Sequence, residues 1–282
     1  MRHHSSAPRT LVSLALVLAL LGLSGCGESK NRDLLSEVKS SDKLVIGVTN
    51  EPPWSSVVDG EPTGIVPDIL AAYLEEADID AELEPIVMPF DSLIPALTSG
   101  RIQLIGTAMY STPERAKVVT FSDTMFYNPS AMVVQEGNPL GIDEVADLCG
   151  RTGATFKGTV WVEQLEAAKD ECPSDEPMEI KVYTSVFETM QDIKVGRVDG
   201  ALIDSSISAH ALNKNPDLGI ELSAAYEDPE KASSTDAVAT THNNAEFFES
   251  FDPVYQRLLK DGTIEEIFAE YGMTPTEIWL SP

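Results

Sequence analysis

From Lys43 onward the chain alternates short β-rich runs with amphipathic helical stretches, and this alternation limits the fold more than any other feature. "KLVIGV" (43–48) reads as a strand and "PDILAAYLEEADI" (67–79) as a helix. "AELEPIVM" (81–88) is the next strand, and "DSLIPALTSG" (91–100) is a helix with Asp91 as its cap and Gly100 as its stop. "RIQLIGTAM" (101–109) is a third strand. A βαβαβ order predicts an α/β protein with mostly parallel sheets, because parallel neighbours need a crossover between them.

Part of the pattern recurs. Laying "LIPALTSGRIQLIGTA" (93–108) over "TMQDIKVGRVDGALID" (189–204) superposes Gly100-Arg101 on Gly196-Arg197, Ile94 and Leu97 on Met190 and Ile193, and Ile102 on Val198. Two lobes then share one helix-to-strand unit. Ala108 falls opposite Asp204, each expected at the carboxyl end of its strand, where open α/β sheets bind ligands. Two such lobes facing each other make a cleft lined from both sides.

Residues 1–25 have a basic start (Arg2, Arg9) and the apolar run "LVSLALVLALLGLSG", which is short for a bilayer span and has the layout of a secretory signal. "LSGC" (23–26) resembles the lipobox of bacterial lipoproteins, which implies lipidation at Cys26 and residues 26–41 as lipidated N-terminus and polar linker. A plain signal peptide with an incidental cysteine is the alternative. The body would be extracytoplasmic and held at the outer face of the cell membrane by lipid alone.

The chain's 282 residues, 43% hydrophobic, suffice for a sizeable core. Against 19 Lys and Arg stand 46 Asp and Glu, a net charge of −27 that becomes about −29 once residues 1–25, with two arginines and no acid, are gone. Such a surface repels nucleic acid and anionic membranes. Cys149 and Cys172 enclose 22 residues, and in an exported chain lacking CxxC or HxxxH they read as a disulfide rather than a metal site. The crosslink would contribute about 3 kcal/mol in the chain-entropy picture. His3 and His4 lie in the signal, and His210 and His242 stand beside no credible nucleophile or ligand set. No metal and no cofactor is expected, and hydrolase readings do poorly.

"MYSTPERAKVV" (109–119) poses a local puzzle. Thr112 reads as an N-cap, Pro113 as the first helical residue and Glu114 as a well-placed acid, yet Arg115 sits at the third position, where the helix dipole disfavours a cation by about 0.3–1 kcal/mol. Something should compensate it.

In order along the chain, "KLVIGVTNEPPW", "PTGIVPDIL", "FDSLIPALTSGRIQLIGTAMYSTPERAKVVTFSD", "LCGRTGATFKGT", "VGRVDGALIDS" and "LLKDGTIEEIFAEYGM" resemble the solute-binding proteins of bacterial ABC importers, specifically the polar amino-acid class (family 3). The resemblance covers nearly all of residues 42–275. It implies a two-lobed periplasmic-binding-protein-like α/β fold, each lobe a mostly parallel sheet flanked by helices, with two crossing hinge strands. The crossings are expected at "SAMVVQ" (130–135) and "TDAVATT" (235–241), giving lobe 1 as 42–133 plus 237–282 and lobe 2 as 134–236. It further implies a monomer that passes its solute to an ABC permease and the associated ATPase subunits.

The same resemblance assigns roles. Arg115 would fork onto the ligand's carboxylate, which suits a guanidinium better than an ammonium; the rival reading is a salt bridge to one of the acids. Asp204, ending its strand in "ALIDSS", would take the α-amino group, against a bland role in capping the next helix. Thr159 offers a hydroxyl and an N–H at the start of the helix "TVWVEQL", with Gly158 allowing close backbone approach. Trp54 and Phe90 match positions whose rings flank the solute, and either could instead be core. Glu51 could favour a cationic side chain, and Thr107 sits at a small polar contact. Tyr110 departs from the Thr or Ser of many members, and Val160 stands where a second hydroxyl is common. "MY" (109–110) is similar to ectoine-type members, so an ectoine-type compatible solute stays open. An enzyme similar to cyclohexadienyl dehydratase is the other alternative, with Glu51 as the only obvious general acid.

Overall fold

The computed structural model describes residues 33–229 and 235–273. The signal reading and Cys26 lie outside them. Within the stretch expected as linker, Leu34–Ser41 forms helix α1, capped by the Asp33 carboxylate, which accepts from the Ser36 N–H at 2.8 Å. Leu34 and Val38 are fully buried, so this part is an integral helix rather than a tether.

The first half then runs β1 (Lys43–Val48), the hairpin β2 (Ser56–Val58) and β3 (Glu61–Thr63), α2 (Ile65–Glu76), β4 (Glu82–Val87), α3 (Leu93–Thr98) and β5 (Leu104–Tyr110). A short helix α4 (Pro113–Ala116) follows, with strands β6 (Thr120–Phe121) and β7 (Phe126–Tyr127). The second half comprises β8 (Ser130–Gln135), β9 (Thr152–Phe156), α5 (Trp161–Glu171), β10 (Glu179–Tyr183), α6 (Val186–Lys194), β11 (Gly200–Asp204), α7 (Ser205–Lys214) and β12 (Ile220–Leu222). The chain then returns through β13 (Thr235–Thr240), α8 (Glu246–Asp261) and α9 (Thr263–Glu270).

Beside the two-stranded β2–β3 hairpin, two larger sheets result, one per lobe. The first is ordered β4-β1-β5-β13-β6, with β7 also on β13; the second is β10-β9-β11-β8-β12. In each, the three strands joined by crossover helices are parallel, and the strands next to the lobe exchange, β13 and β8, are antiparallel. The fold class is the one expected. The crossings differ in place. β8 lies wholly in the second sheet, paired with β11 and β12, so the first exchange falls at Asn128-Pro129. β13 lies wholly in the first sheet, where Asp236 pairs with Tyr110 and Phe126. Apolar β-rich runs announce a strand; only the pairing partner decides which sheet takes it.

The internal repeat is real in three dimensions. Gly100 and Gly196 both have positive φ, 74° and 70°. Their N–H groups donate to Leu97 and Ile193, and the following arginines donate to Ala96 and Asp192. Leu97, Ile102, Ile193 and Val198 are buried at the matched positions. Asp204 ends β11 as expected, whereas Ala108 sits two residues before the end of β5.

Asp91 does not cap a helix. Residues Phe90–Ser92 form a 3-10 turn ahead of α3, without a side-chain cap. Cys149 and Cys172 are joined by a disulfide with Cα atoms 5.4 Å apart, pinning the start of β9 to the end of α5.

Candidate functional site

A narrow cavity, with about 30 Å³ of room for the centres of water-sized molecules, lies between the lobes. Glu51, Trp54, Phe90, Thr107, Tyr110, Arg115, Thr159 and Asp204 all line it, eight of the nine residues singled out from the sequence. Ala108, Phe156, Val160, Trp161, Ile207 and Asp236 complete the wall.

Thr112 caps α4 as expected, accepting from the Arg115 N–H at 3.3 Å. The Arg115 guanidinium donates to two main-chain carbonyls, Tyr110 in lobe 1 and Gly158 in lobe 2, each at 2.8 Å. It lies over the Phe90 ring, 5.4 Å from its centroid. Burial holds its pKa below the ordinary value, and the charge of Asp236 opposes that shift. Two of its five N–H donors are thereby used on carbonyls.

Gly158 is absent from the cavity wall and acts through its backbone. Its φ is +82°, and a Cβ there would come within 2.9 Å of the Asp91 Cα. The lobes touch here, and Asp91 is used in that contact. Thr159 precedes rather than caps α5, because the helix starts at Trp161 and the Thr159 hydroxyl donates back to the Phe156 carbonyl at 2.8 Å.

On the opposite side "EPPW" makes a tight loop closed by the Glu51–Ser55 bridge. Gly64 permits its docking on α2: with φ of +118°, any Cβ would fall 2.7 Å from Ser55 Cα. The loop buries Trp54, stacked on Phe126 with centroids 4.7 Å apart, and its indole N–H donates across the lobes to Asp204 Oδ2 at 2.8 Å. Phe90 meets Phe156 edge-on, and Tyr110 meets Trp161 likewise. The Tyr110 hydroxyl donates to the Asn128 carbonyl. Thr107 joins Thr49 and Ser55 in a buried hydroxyl cluster, accepting from Ser55 Oγ at 2.9 Å.

Asp204 caps α7 through Oδ1, which accepts from Ser206 N and Ile207 N at 2.8 and 2.9 Å. Its Oδ2 accepts from Trp54 Nε1 and Asn128 Nδ2. Burial still raises its pKa to about 6. Glu51 is raised further, to about 7, chiefly by burial, with the charge of Asp204 adding to the effect and a hydrogen bond from Thr49 opposing it.

Sequence reading missed Asp236, Asn128 and the ring pair Phe156 and Trp161. Asp236 is 1% exposed, and burial raises its carboxyl well above the ordinary range. The available signal was a lone acid in the apolar run "TDAVAT", the same signal that marked Asp204 in "ALIDSS".

Known proteins resemble this chain along most of its length. The chain is 28% identical over 232 residues to the ABC transporter arginine-binding protein 1 of Escherichia coli (strain K12), covering 81% of this chain and 90% of that protein. It is 25% identical to the arginine-binding extracellular protein ArtP of Bacillus subtilis (strain 168), covering 91% and 95%. Among solved structures, an ancestral arginine-binding protein bound to arginine superposes with a TM-score of 0.71 at 27% identity, over 82% of this chain and 98% of that one. The family described as bacterial extracellular solute-binding proteins, family 3, matches residues 44–274, and the chain belongs to it.

Proposed function

We propose that this protein captures a polar amino acid or related zwitterion between its lobes and delivers it to the permease and ATPase subunits of an ABC importer. One observation carries the reading: a cavity shared by both lobes sets a single guanidinium, Arg115, against three buried carboxyl groups, Glu51, Asp204 and Asp236. Those are the complementary charges of a zwitterion's two ends, with acid to spare for a cationic side chain. The arginine named for the relatives above fits that balance. A thermal-shift panel of the common amino acids and ectoine tests it: the bound solute raises the melting temperature by mass action, and no shift with any member refutes it. Lipidation at Cys26, which would hold a monomer at the outer face of the membrane, belongs to the same reading; no described helix is long and apolar enough to cross a bilayer. Incorporation of labelled fatty acid, lost in Cys26→Ala, would test it.

Closure rests on the contact at Gly158. Ala there puts a methyl group against the Asp91 backbone in a backbone conformation that L residues avoid, so the lobes must part. We expect Gly158→Ala to weaken solute binding about tenfold with little change in secondary structure, measured by calorimetry.

The buried acids give a pH signature. The folded-state pKa of Glu51, about 7, lies above its ordinary 4.5, so the native state holds a proton that the unfolded chain releases. Glu51 therefore stabilises the ligand-free protein fully below about pH 4.5, and that contribution fades as pH rises to 7. Glu51→Gln should abolish this part of the decline, seen as converging melting curves at low pH and a more stable variant at pH 8. Affinity for a cationic side chain moves oppositely in the wild type, rising with pH as Glu51 ionises.

A carboxyl with pKa near 7 facing a cavity is also what a general acid requires, which favours the dehydratase of the same fold as second reading. Incubation with prephenate or arogenate, followed for aromatic product, separates the two.

A further inference from the structure

Beside Pro129, at the exchange between the lobes, lies a second cavity of about 350 Å³ that shares no lining residue with the first. One wall is a face of α7, where Ser206, Ala209, His210 and Asn213 stand at i, i+3, i+4 and i+7, the spacing of neighbours on a helix surface. Leu222 of β12 adds an apolar side chain, and the residues that follow α9, up to Met273, complete the groove. Since α7 and β12 pack on the second sheet and α9 packs on α2 and α8, both lobes contribute to it.

What singles the groove out is its lack of charge. The chain carries 46 acids against 19 Lys and Arg, and the groove between α2 and β4 presents six carboxyl groups. None of the ten residues lining the α7 groove is Asp, Glu, Lys or Arg. His210 fits the pattern, because partial burial holds its pKa below the ordinary value. An uncharged, mostly apolar groove suits an apolar occupant.

The chain itself supplies one. Met273 lines the groove, and the nine residues TPTEIWLSP follow it. Ile278, Trp279 and Leu280 are three large apolar side chains in a row. Their starting point is fixed: the Tyr271 hydroxyl donates to Asp68 Oδ2 at 2.6 Å and accepts from the Gly64 N–H at 2.7 Å, and Met273 is buried. From Met273 an extended chain reaches about 17 Å by residue 278 and about 23 Å by residue 280, at roughly 3.3 Å per residue. The α7 face from Ser206 to Asn213 is only about 10 Å long, at about 1.5 Å per residue. Reach is no obstacle.

We propose that residues 274–282 return over α7 and lay Ile278, Trp279 and Leu280 in this groove, so that the end of the chain ties lobe 1 to lobe 2 beside the two crossings. A tail seated there takes its own apolar surface and that of Ala209 and Leu222 out of water together. The Trp279 indole brings one N–H, for which Ser206 and Asn213 offer oxygens. The assignment holds whichever solute the cleft takes.

Hydrogen exchange of the full chain, read over α7, tests it. Trp279→Ser should speed exchange in Ser205–Lys214 about tenfold and leave α5 unchanged. Ala209→Glu, which sets a charge in the groove, should do the same. The two together should add nothing beyond either alone, because each removes the same contact, whereas unrelated weakening of α7 would give the sum of two effects. Unchanged exchange in Trp279→Ser, or additive gains in the double variant, overturns the proposal. Should Ala209→Glu fail to fold, Asn213→Lys takes its place. Sedimentation at the same concentrations identifies whose tail is bound: a monomer in which Trp279→Ser lifts the protection supports a tail on its own α7, and a dimer that dissociates in Trp279→Ser puts a second copy's tail there and overturns it.

Discussion

Arg115→Ala is expected to weaken amino-acid binding by at least about 100-fold while the protein still folds. The guanidinium is the only cation on the cavity wall among the described residues, and nothing nearby can replace its fork on a carboxylate. Truncating one member of a buried charge pair costs about 2–5 kcal/mol, much of it because the other charge is left buried and unmatched. Stability should suffer less, because what Arg115 holds in the protein is two backbone carbonyls at a half-buried position rather than a salt bridge. The rival reading, a salt bridge to one of the acids, finds no such ion pair at Arg115 among the described residues, although Asp236 attracts Arg115 electrostatically. Arg115→Lys keeps the charge without the fork and should fall between wild type and Ala. Calorimetry with circular dichroism as a folding control settles the matter; unchanged affinity in Arg115→Ala would remove the site from this cavity.

Trp54→Ala should produce the largest loss of stability, about 3–5 kcal/mol from the cavity alone. The ring is 2% exposed, stacked on Phe126 and edge-on to Phe268, so no neighbour can easily close the gap. The change also removes the indole donor from Asp204, whose buried carboxylate is a poor place for an unmet lone pair. Trp54→Phe separates the two effects. It keeps most of the stacking and loses only the N–H, so urea denaturation should show a smaller deficit, roughly 1–3 kcal/mol. Equal deficits in the two variants would mean that the stacking contributes little.

Much of this was legible in the sequence because the signals were local. Thr112, Pro113 and Arg115 form the predicted cap, and the glycines at 100 and 196 make the same turn because both follow a helix with the same apolar spacing. The candidate residues converge because crossover topology places strand ends of both lobes at one cleft. What the sequence did not show depended on partners far away in the chain. Asp91 looks like a helix cap, and is instead pressed against Gly158 of the other lobe. Thr159 looks like one too, yet spends its hydroxyl on Phe156. Asp236 escapes notice on a strand expected to cross between the lobes, where a polar residue attracts no suspicion; with the strand seated inside the first sheet, the same acid becomes an anomaly.

The bond from Arg115 to the Gly158 carbonyl has a consequence for selectivity. One guanidinium arm already clasps the opposite lobe, so an incoming solute does not simply fill a gap; it must offer an acceptor better than a peptide oxygen to make the exchange worthwhile. An anionic oxygen meets that standard and a neutral amide does not. The protein would thereby reject amines and amides by default, through a competitor built into its own main chain.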